Sequence, residues 1–300
     1  MRQTPLQYSD SLSEAAGAEV WLKLENQQPT GSFKVRGACN ALLVLSPEQR
    51  ARGIVTASAG NHGLGVAFAA RQCAAAVTVF VPAAAAHAKR HRIARLGAAL
   101  REVRGSYDDA HLAAVHFAQE TGACYLHAFS DPAVVAGQAT VGLEILQELP
   151  SVGTLLVPIG GGGLIGGVGV IARALGAGTR IVGVQSEATA AMHASLLEGR
   201  VVSPPPMPTL CDGLAGDIDE WSLALAARVV DEVILVTERS VRRSIERLFV
   251  EEGIVAEGSA ATVAAALRDS ASNTIESPIA AIVSGGNLDA HVLADILTNP

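Results

Sequence analysis

The chain has 300 residues and a formal net charge of −7, with 17% charged and 49% hydrophobic residues. That is enough apolar material for one large α/β unit or two lobes, and too much for disordered tails. The acidic balance leaves no basic stripe to neutralise phosphates, which argues against a nucleic-acid partner.

The start, Met-Arg-Gln-Thr-Pro, has no apolar h-region, so no secretory leader is expected. Short apolar, β-branched runs then alternate with longer helical ones. The first strand is predicted over 20–24, followed by an amphipathic helix over 35–45. Ser46-Pro47-Glu48-Gln49 reads as a capped helix start with proline in its first turn and a capping-box glutamine. A strand over 54–56 leads to a helix over 63–72, and a strand over 77–81 to a helix over 88–96. Within the latter helix, Lys89, Arg90, His91, Arg92 and Arg95 form a solvated face opposite Ile93 and Leu96. Next come a strand over 100–103 and helices over 107–120 and 134–149. The uncharged stretch 154–172 has roughly the length of a membrane span. Its many glycines and Pro158 favour a buried strand (155–158), a turn and a buried helix (164–175), so no membrane association is expected. A strand over 181–184 precedes the proline-rich 203–208, an extended surface loop. A strand over 233–236, helices over 239–252 and 259–267, and a strand over 279–283 complete the chain.

This βαβ rhythm predicts an α/β fold of mostly parallel, twisted sheet with right-handed crossovers. Strands hydrophobic throughout imply helices on both faces. Periodicity leaves one sheet or two open. Cys39, Cys73, Cys124 and Cys211 are scattered, without a Cys-x-x-Cys pair or a histidine at ligand spacing. A zinc site or disulfide framework is therefore not expected, and a reducing cytoplasm is.

Four motifs carry chemistry. Lys34 ends Pro29-Thr30-Gly31-Ser32-Phe33 and opens a helix; at such a junction an amine can be partly desolvated and so made nucleophilic. Gly160-Gly161-Gly162-Gly163-Leu164 follows a buried strand and precedes a helix. Its backbone amides can turn inward on an anion, with the helix N-terminus adding partial positive charge. Gly161, Gly163 and Gly166 match a dinucleotide spacing, but Gln185 stands where the acidic ribose ligand belongs, which counts against a nicotinamide cofactor. Ser58-Ala59-Gly60-Asn61-His62-Gly63 is a second strand-to-helix turn, suited to a carboxylate; His62 reads as a support of the loop. Ser284-Gly285-Gly286-Asn287 ends the last strand, where open α/β sheets place ligands. An amine with a phosphate-binding loop points to pyridoxal phosphate.

Together these motifs resemble the fold-type-II pyridoxal-phosphate enzymes and, within them, the serine/threonine dehydratases (ammonia-lyases). The resemblance rests on Thr4-Pro5-Leu6, residues 24–37 and 57–63, Asp131-Pro132, Ala136-Gly137-Gln138, residues 160–164, Asp212-Gly213, and residues 284–287. It implies a tryptophan-synthase-β-like fold of two open, mostly parallel sheets covered by helices. The large domain would comprise 1–36 and 132–300, with a small domain, 37–131, inserted. It further implies that Lys34 carries the cofactor with Phe33 beside it, that Asn61 meets the ring hydroxyl, and that Ser284 faces the pyridine nitrogen. Gly160, Gly161, Gly162, Gly163 and Leu164 would hold the phosphate, and Ser58, Ala59, Gly60, Asn61 and His62 the substrate carboxylate. The substrate would be L-threonine, L-serine or a similar small β-hydroxy amino acid, converted to a 2-oxo acid and ammonia by a homodimer or higher homo-oligomer.

The chain departs from that pattern in places. Ala59 replaces the second hydroxyl of members that racemise serine. Gln185 and Ala191 replace the acidic ligands of an activating cation, so no metal is expected there. The usual Glu-Pro becomes Glu257-Gly258, and the role of Glu257 stays open. The chain begins almost at Thr4-Pro5, without the leading helix of relatives. No regulatory domain is expected after Pro300, and hence no feedback control. The residues around Lys34 lack the Ser-x-Lys-Asp-Arg form of the cysteine-synthase branch, which favours elimination over β-replacement. A β-replacing synthase, a 3-hydroxyaspartate ammonia-lyase, a non-catalytic binding protein and a nicotinamide oxidoreductase are the alternatives.

Overall fold

The computed structural model describes residues 1–85, 87–175, 178–216, 218–269 and 275–299, with backbone alone for 87–89. The Lys89 side chain of the basic run lies outside the described residues. Two compact units divide the chain: Lys34–Gln138, and Arg2–Phe33 with Ala139–Pro300.

The larger unit holds a six-stranded sheet of β1 (Leu6–Tyr8), β2 (Val20–Leu24), β7 (Thr154–Pro158), β8 (Arg180–Ser186), β9 (Glu232–Val236) and β10 (Ile279–Val283). Its order is β1-β2-β10-β7-β8-β9. Every pairing is parallel except the antiparallel β1–β2 edge. Alternate residues of each strand feed two cores. Leu22, Leu24, Leu156, Val182, Ala281 and Val283 pack with α1 (Asp10–Ala16), α11 (Glu238–Glu252), α12 (Gly258–Asp269) and α13 (Ala290–Thr298). Leu155, Val157, Ile181, Ala280 and Ile282 pack instead with the second half of α7 (Pro132–Glu148), with α8 (Gly163–Ala174) and with α10 (Glu220–Val229). β7 and β10 are buried at every position. This is why their sequences are apolar without alternation.

The smaller unit holds a parallel sheet of β3 (Ile54–Ala57), β4 (Val77–Pro82), β5 (Ala99–Val103) and β6 (Cys124–Tyr125), in the order β5-β4-β3-β6. One face is covered by α2 (Lys34–Val44), α4 (Asn61–Gln72) and α5 (His87–Ala94), the other by α6 (Tyr107–Thr121). The predicted cap is present: Ser46 Oγ accepts from the Gln49 amide at 3.2 Å, Gln49 returns the bond, and Pro47 opens α3 (Pro47–Ala51). Arg92 and Arg95 are exposed and Ile93 is buried, as expected of a solvated face.

Among the described residues, six strands and α-helices were not anticipated, nor were the short 3-10 turns Glu25–Gln27 and Glu187–Thr189. β1 and β6 are too short to alternate. α1 and α10 are short helices behind Ser9 and Asp219 side-chain caps, whereas α13 and α9 (Ala191–Glu198) have no side-chain cap.

One buried charge is notable. Lys23 in β2 is fully buried, with its amine 2.7 Å from the Thr4 carbonyl, 2.8 Å from Glu144 and 3.3 Å from Glu148. The N-terminal segment is pinned there, since the Thr4 hydroxyl also donates to Glu25 at 2.5 Å. Among the described residues no helix is long and apolar enough to cross a membrane.

Candidate active site

In the larger unit, β7 runs into the tetraglycine turn. The ladder ends at Ile159, whose amide reaches the Val184 carbonyl at 2.9 Å. Gly162 then adopts φ 88°, a conformation that L side chains avoid. A Cβ there would stand 2.9 Å from Met192 Cε, and one on Gly160 would stand 3.0 Å from Leu214 Cα. The turn is tight because it has no side chains. α8 starts with Gly162 as a cap that offers no side-chain acceptor. Its first helical bond is Gly166 N–H to Gly162 C=O at 2.8 Å. The preceding amides therefore point out of the helix end without a helical partner, as an anion requires.

Ser284 follows β10, the neighbour of β7. The two strands run parallel, with Ala281 paired to Leu156, so Ser284 and the glycine turn both leave the carboxyl end of the sheet from neighbouring strands. Ser284 is only 3% exposed, and among the described residues no hydrogen bond is found for its Oγ. The segment before Lys34 is bolted to this strand end. Phe33 N–H donates to Ser284 C=O at 3.0 Å, Ser32 bridges Gly285, and Gly286 N–H reaches Gly31 C=O at 2.9 Å. Asn287 Nδ2 donates to Thr30 C=O at 2.9 Å. Gly31 has φ 77°, and the Asn287 amide fills the space where its Cβ would be.

Glu257, whose role the sequence left open, braces this turn. Its amide donates to Gly285 C=O at 3.1 Å and its carboxylate accepts from Asn287 N–H at 3.1 Å. Gln185, noted only for not being acidic, is fully buried and satisfied. It donates to Ile159 C=O at 3.1 Å and to Thr189 C=O at 2.7 Å, and accepts from His193 N–H at 2.8 Å. It thereby fixes the residue that enters the glycine turn.

In the smaller unit Lys34 is the first residue of α2, half-buried, with Nζ donating to Ala128 C=O at 3.0 Å. α2 crosses α4 closely because Gly65 has no side chain: a Cβ there would lie 3.0 Å from the Lys34 carbonyl. This brings Lys34 to the 58–62 loop. That loop leaves β3 with Ser58 N–H on Phe80 C=O at 3.0 Å, and Ser58 Oγ accepts from Gly60 N–H at 3.1 Å. α4 begins at Asn61, two residues before the predicted start, with Gly60 as a cap lacking a side chain. A second set of helix-end amides is thus presented to solvent or ligand. His62 is buried, with Nε2 3.3 Å from Leu126 C=O and no partner for Nδ1. Burial, reinforced by the nearby Lys34 charge, lowers its pKa to about 3. His62 is therefore a neutral donor to Leu126.

Lys34 thus lies with the loop 58–62 in one unit, and Phe33, Ser284 and Gly160–Leu164 lie together in the other. The sequence did not reveal Ala128, which acts through its carbonyl, nor the roles of Gln185 and Glu257, which act on backbone far away in the chain.

A family model for pyridoxal-phosphate dependent enzymes matches residues 1–285, and the chain belongs to that family. It is 40% identical to an L-threonine ammonia-lyase of Thermotoga maritima, over 99% of this chain and 74% of the relative. It is 39% identical to one of Geobacter sulfurreducens, over the same shares of each chain. The fold is similar to that of threonine deaminase isoform 2 from Solanum lycopersicum, with a TM-score of 0.92 and 31% identity over 99% of this chain and 88% of that one. Maize serine racemase gives a TM-score of 0.93 and 30% identity, over 99% and 92%. The residues present suit the cofactor: the larger unit offers uncapped amides for a phosphate and, at Ser284, a hydroxyl without a hydrogen bond for a neutral ring nitrogen, and the smaller unit offers a half-buried amine.

Proposed function

We propose that this protein is a pyridoxal-phosphate-dependent ammonia-lyase that converts L-threonine, L-serine or a similar β-hydroxy amino acid to a 2-oxo acid and ammonia. The observation that supports the reading is the parallel pairing of β7 with β10, from whose carboxyl ends the uncapped glycine turn and Ser284 both emerge. Phe33 is hydrogen-bonded to Ser284, and Lys34 is the next residue in the chain.

When bound, pyridoxal phosphate supplies an electron sink for the pair left at Cα once its proton is removed. The residues supply the rest. Lys34 would hold the cofactor and serve as the base that takes the α-proton. The amides of Gly160 to Leu164 would hold the phosphate, with Phe33 beside the ring and Asn61 at the ring hydroxyl. Ser284, which carries no charge, would leave the ring nitrogen unprotonated, whereas an aspartate there would favour its protonated form. This weaker sink suits loss of a β-substituent. The turn Ser58, Ala59, Gly60, Asn61 and His62 holds the substrate carboxylate on the first amides of α4. With its pKa near 3, His62 carries no charge at neutral pH and does not compete as acid or base. Loss of the Cα proton and the Cβ hydroxyl removes water, and the enamine that departs hydrolyses to a 2-oxo acid and ammonia. Ala59 offers no proton to the opposite face of Cα, which favours elimination over racemisation. Four free thiols support a reducing, cytoplasmic setting, and we take the working form to be a homo-oligomer.

The test is release of 2-oxo acid from a panel of β-hydroxy amino acids, with the absorption band of the bound cofactor followed in parallel. Lys34→Ala should lose both band and turnover. A Lys34→Ala protein with full activity would refute the reading.

A further inference from the structure

We propose that His127 is a positioning residue for Lys34, acting through the carbonyl of Ala128; the inference rests on Lys34 being the catalytic amine. His127 begins the turn between β6 and α7. Its Nδ1 accepts two backbone amides of that turn, Phe129 N–H at 3.3 Å and Ser130 N–H at 2.8 Å. An imidazole nitrogen that accepts two N–H groups carries no proton. The ring is thereby fixed as the neutral tautomer protonated at Nε2. This is the geometry of an Asx-turn, with a histidine in place of aspartate or asparagine. Between the anchoring nitrogen and the anchored amides stands Ala128, whose carbonyl receives the Lys34 amine at 3.0 Å.

The neighbourhood also holds the turn on both sides of Ala128. Upstream, the Leu126 carbonyl accepts from Thr56 Oγ1 at 2.8 Å and from His62 Nε2. Downstream, Asp131 Oδ1 accepts from Ala133 N–H at 2.8 Å and Val134 N–H at 3.3 Å, at the start of α7. Ala128 itself lies between these clamps.

The ring is also walled in. Phe129 packs edge-on at 4.5 Å between centroids and His111 of α6 at 5.6 Å. His111 Nδ1 lies 2.6 Å from the Tyr125 hydroxyl, and burial raises the pKa of that phenol and keeps it protonated. Titratable groups near His127 include His111, Tyr125, His62 and, through Ala128, Lys34. Restricting the ring lowers the entropic cost of presenting one carbonyl to a flexible amine. That carbonyl is the resting place of the Lys34 amine whenever it is free of cofactor, as it must be to take the α-proton.

The test uses the full-length holoenzyme and two variants, with hydrogen exchange at residues 128–131 as the readout besides activity. His127→Ala removes the acceptor. His127→Asn restores one, because an asparagine Oδ1 reaches the same two amides. The proposal expects His127→Ala to speed exchange of the Phe129 and Ser130 amides. It also expects kcat to fall by about tenfold or more, with KM within about threefold, as misplacement of a reacting group does. His127→Asn should recover both amide protection and kcat to within about threefold. The proposal is overturned if His127→Ala leaves kcat or amide protection unchanged. It is equally overturned if His127→Asn protects the amides without restoring turnover, or recovers neither. Failure of the lyase reading is separate: it would show as an inactive wild type, while the exchange comparison still decides whether His127 holds the turn.

Discussion

Gly162→Ala isolates the physical basis of the phosphate turn. Gly162 sits at φ 88° and ψ −10°, where a Cβ costs about 1–2 kcal/mol. The new methyl would also stand 2.9 Å from Met192 Cε, inside any real contact distance. That methionine is fully buried, so its shift adds roughly 1 kcal/mol, the low end for overpacking because the colliding atom is the end of a flexible chain. Reduced freedom of the unfolded chain returns about 0.4–1 kcal/mol. The sum is a loss of about 2 kcal/mol. Gly199, at φ 67° with nothing within 4 Å of its Cβ position, provides the control: Gly199→Ala bears the backbone cost alone, about 0.5–1 kcal/mol net. Denaturant titration of both variants measures the difference, and cofactor titration measures its consequence. Turning the amides of the loop by even a small angle weakens phosphate binding, so Gly162→Ala should raise the cofactor dissociation constant about tenfold or more, about 1.4 kcal/mol. Gly199→Ala should leave it unchanged. Equal destabilisation of the two variants, or unaltered cofactor affinity in Gly162→Ala, would refute the reasoning.

The other predictions concern single buried groups. Ser284→Ala removes a hydroxyl without a partner, so stability should change by less than about 1 kcal/mol while kcat falls; a stability loss several times larger in a urea titration would show that the hydroxyl serves packing. Lys23→Met takes the buried cation away from Glu144, whose side chain is 16% exposed, and should cost about 1–3 kcal/mol, less than for a fully buried pair. The double variant Lys23→Met with Glu144→Gln should recover part of that, and equal denaturation midpoints for the two would count against the pair. His62 has a folded pKa near 3, below its ordinary 6.5, so the unfolded chain binds the extra proton first. Its contribution to stability is complete above pH 6.5 and is lost as the pH falls toward 3, by up to about 1.4 kcal/mol per pH unit. A His62→Gln variant should show a shallower acid limb in denaturation midpoints between pH 7 and pH 4; an identical limb would place the titration elsewhere.

Much of this molecule is legible in its sequence because the signals are local. A strand buried on both faces is a short apolar run, as at β7 and β10, and an anion turn is a run of residues without Cβ, as at Gly160 to Gly163. Lys34 announces itself by the turn residues before it and the amphipathic helix after it. Ser46 to Gln49 forms its capping box within one helical turn. Such features need only a few neighbouring residues, so composition and spacing determined them. What the tertiary structure alone decided are relations between distant segments: the order β1-β2-β10-β7-β8-β9, the parallel pairing of β10 with β7 that brings Ser284 and the glycine turn to one end of the sheet, and Glu257 bracing Asn287. Gln185 holding Ile159 and Ala128 receiving Lys34 belong to the same class. In each, at least one partner is a backbone group, which every residue possesses, so side-chain identity could not mark it. Pairing depends on which strands lie side by side, and that follows from burying both faces of the whole sheet at once rather than from any local pattern.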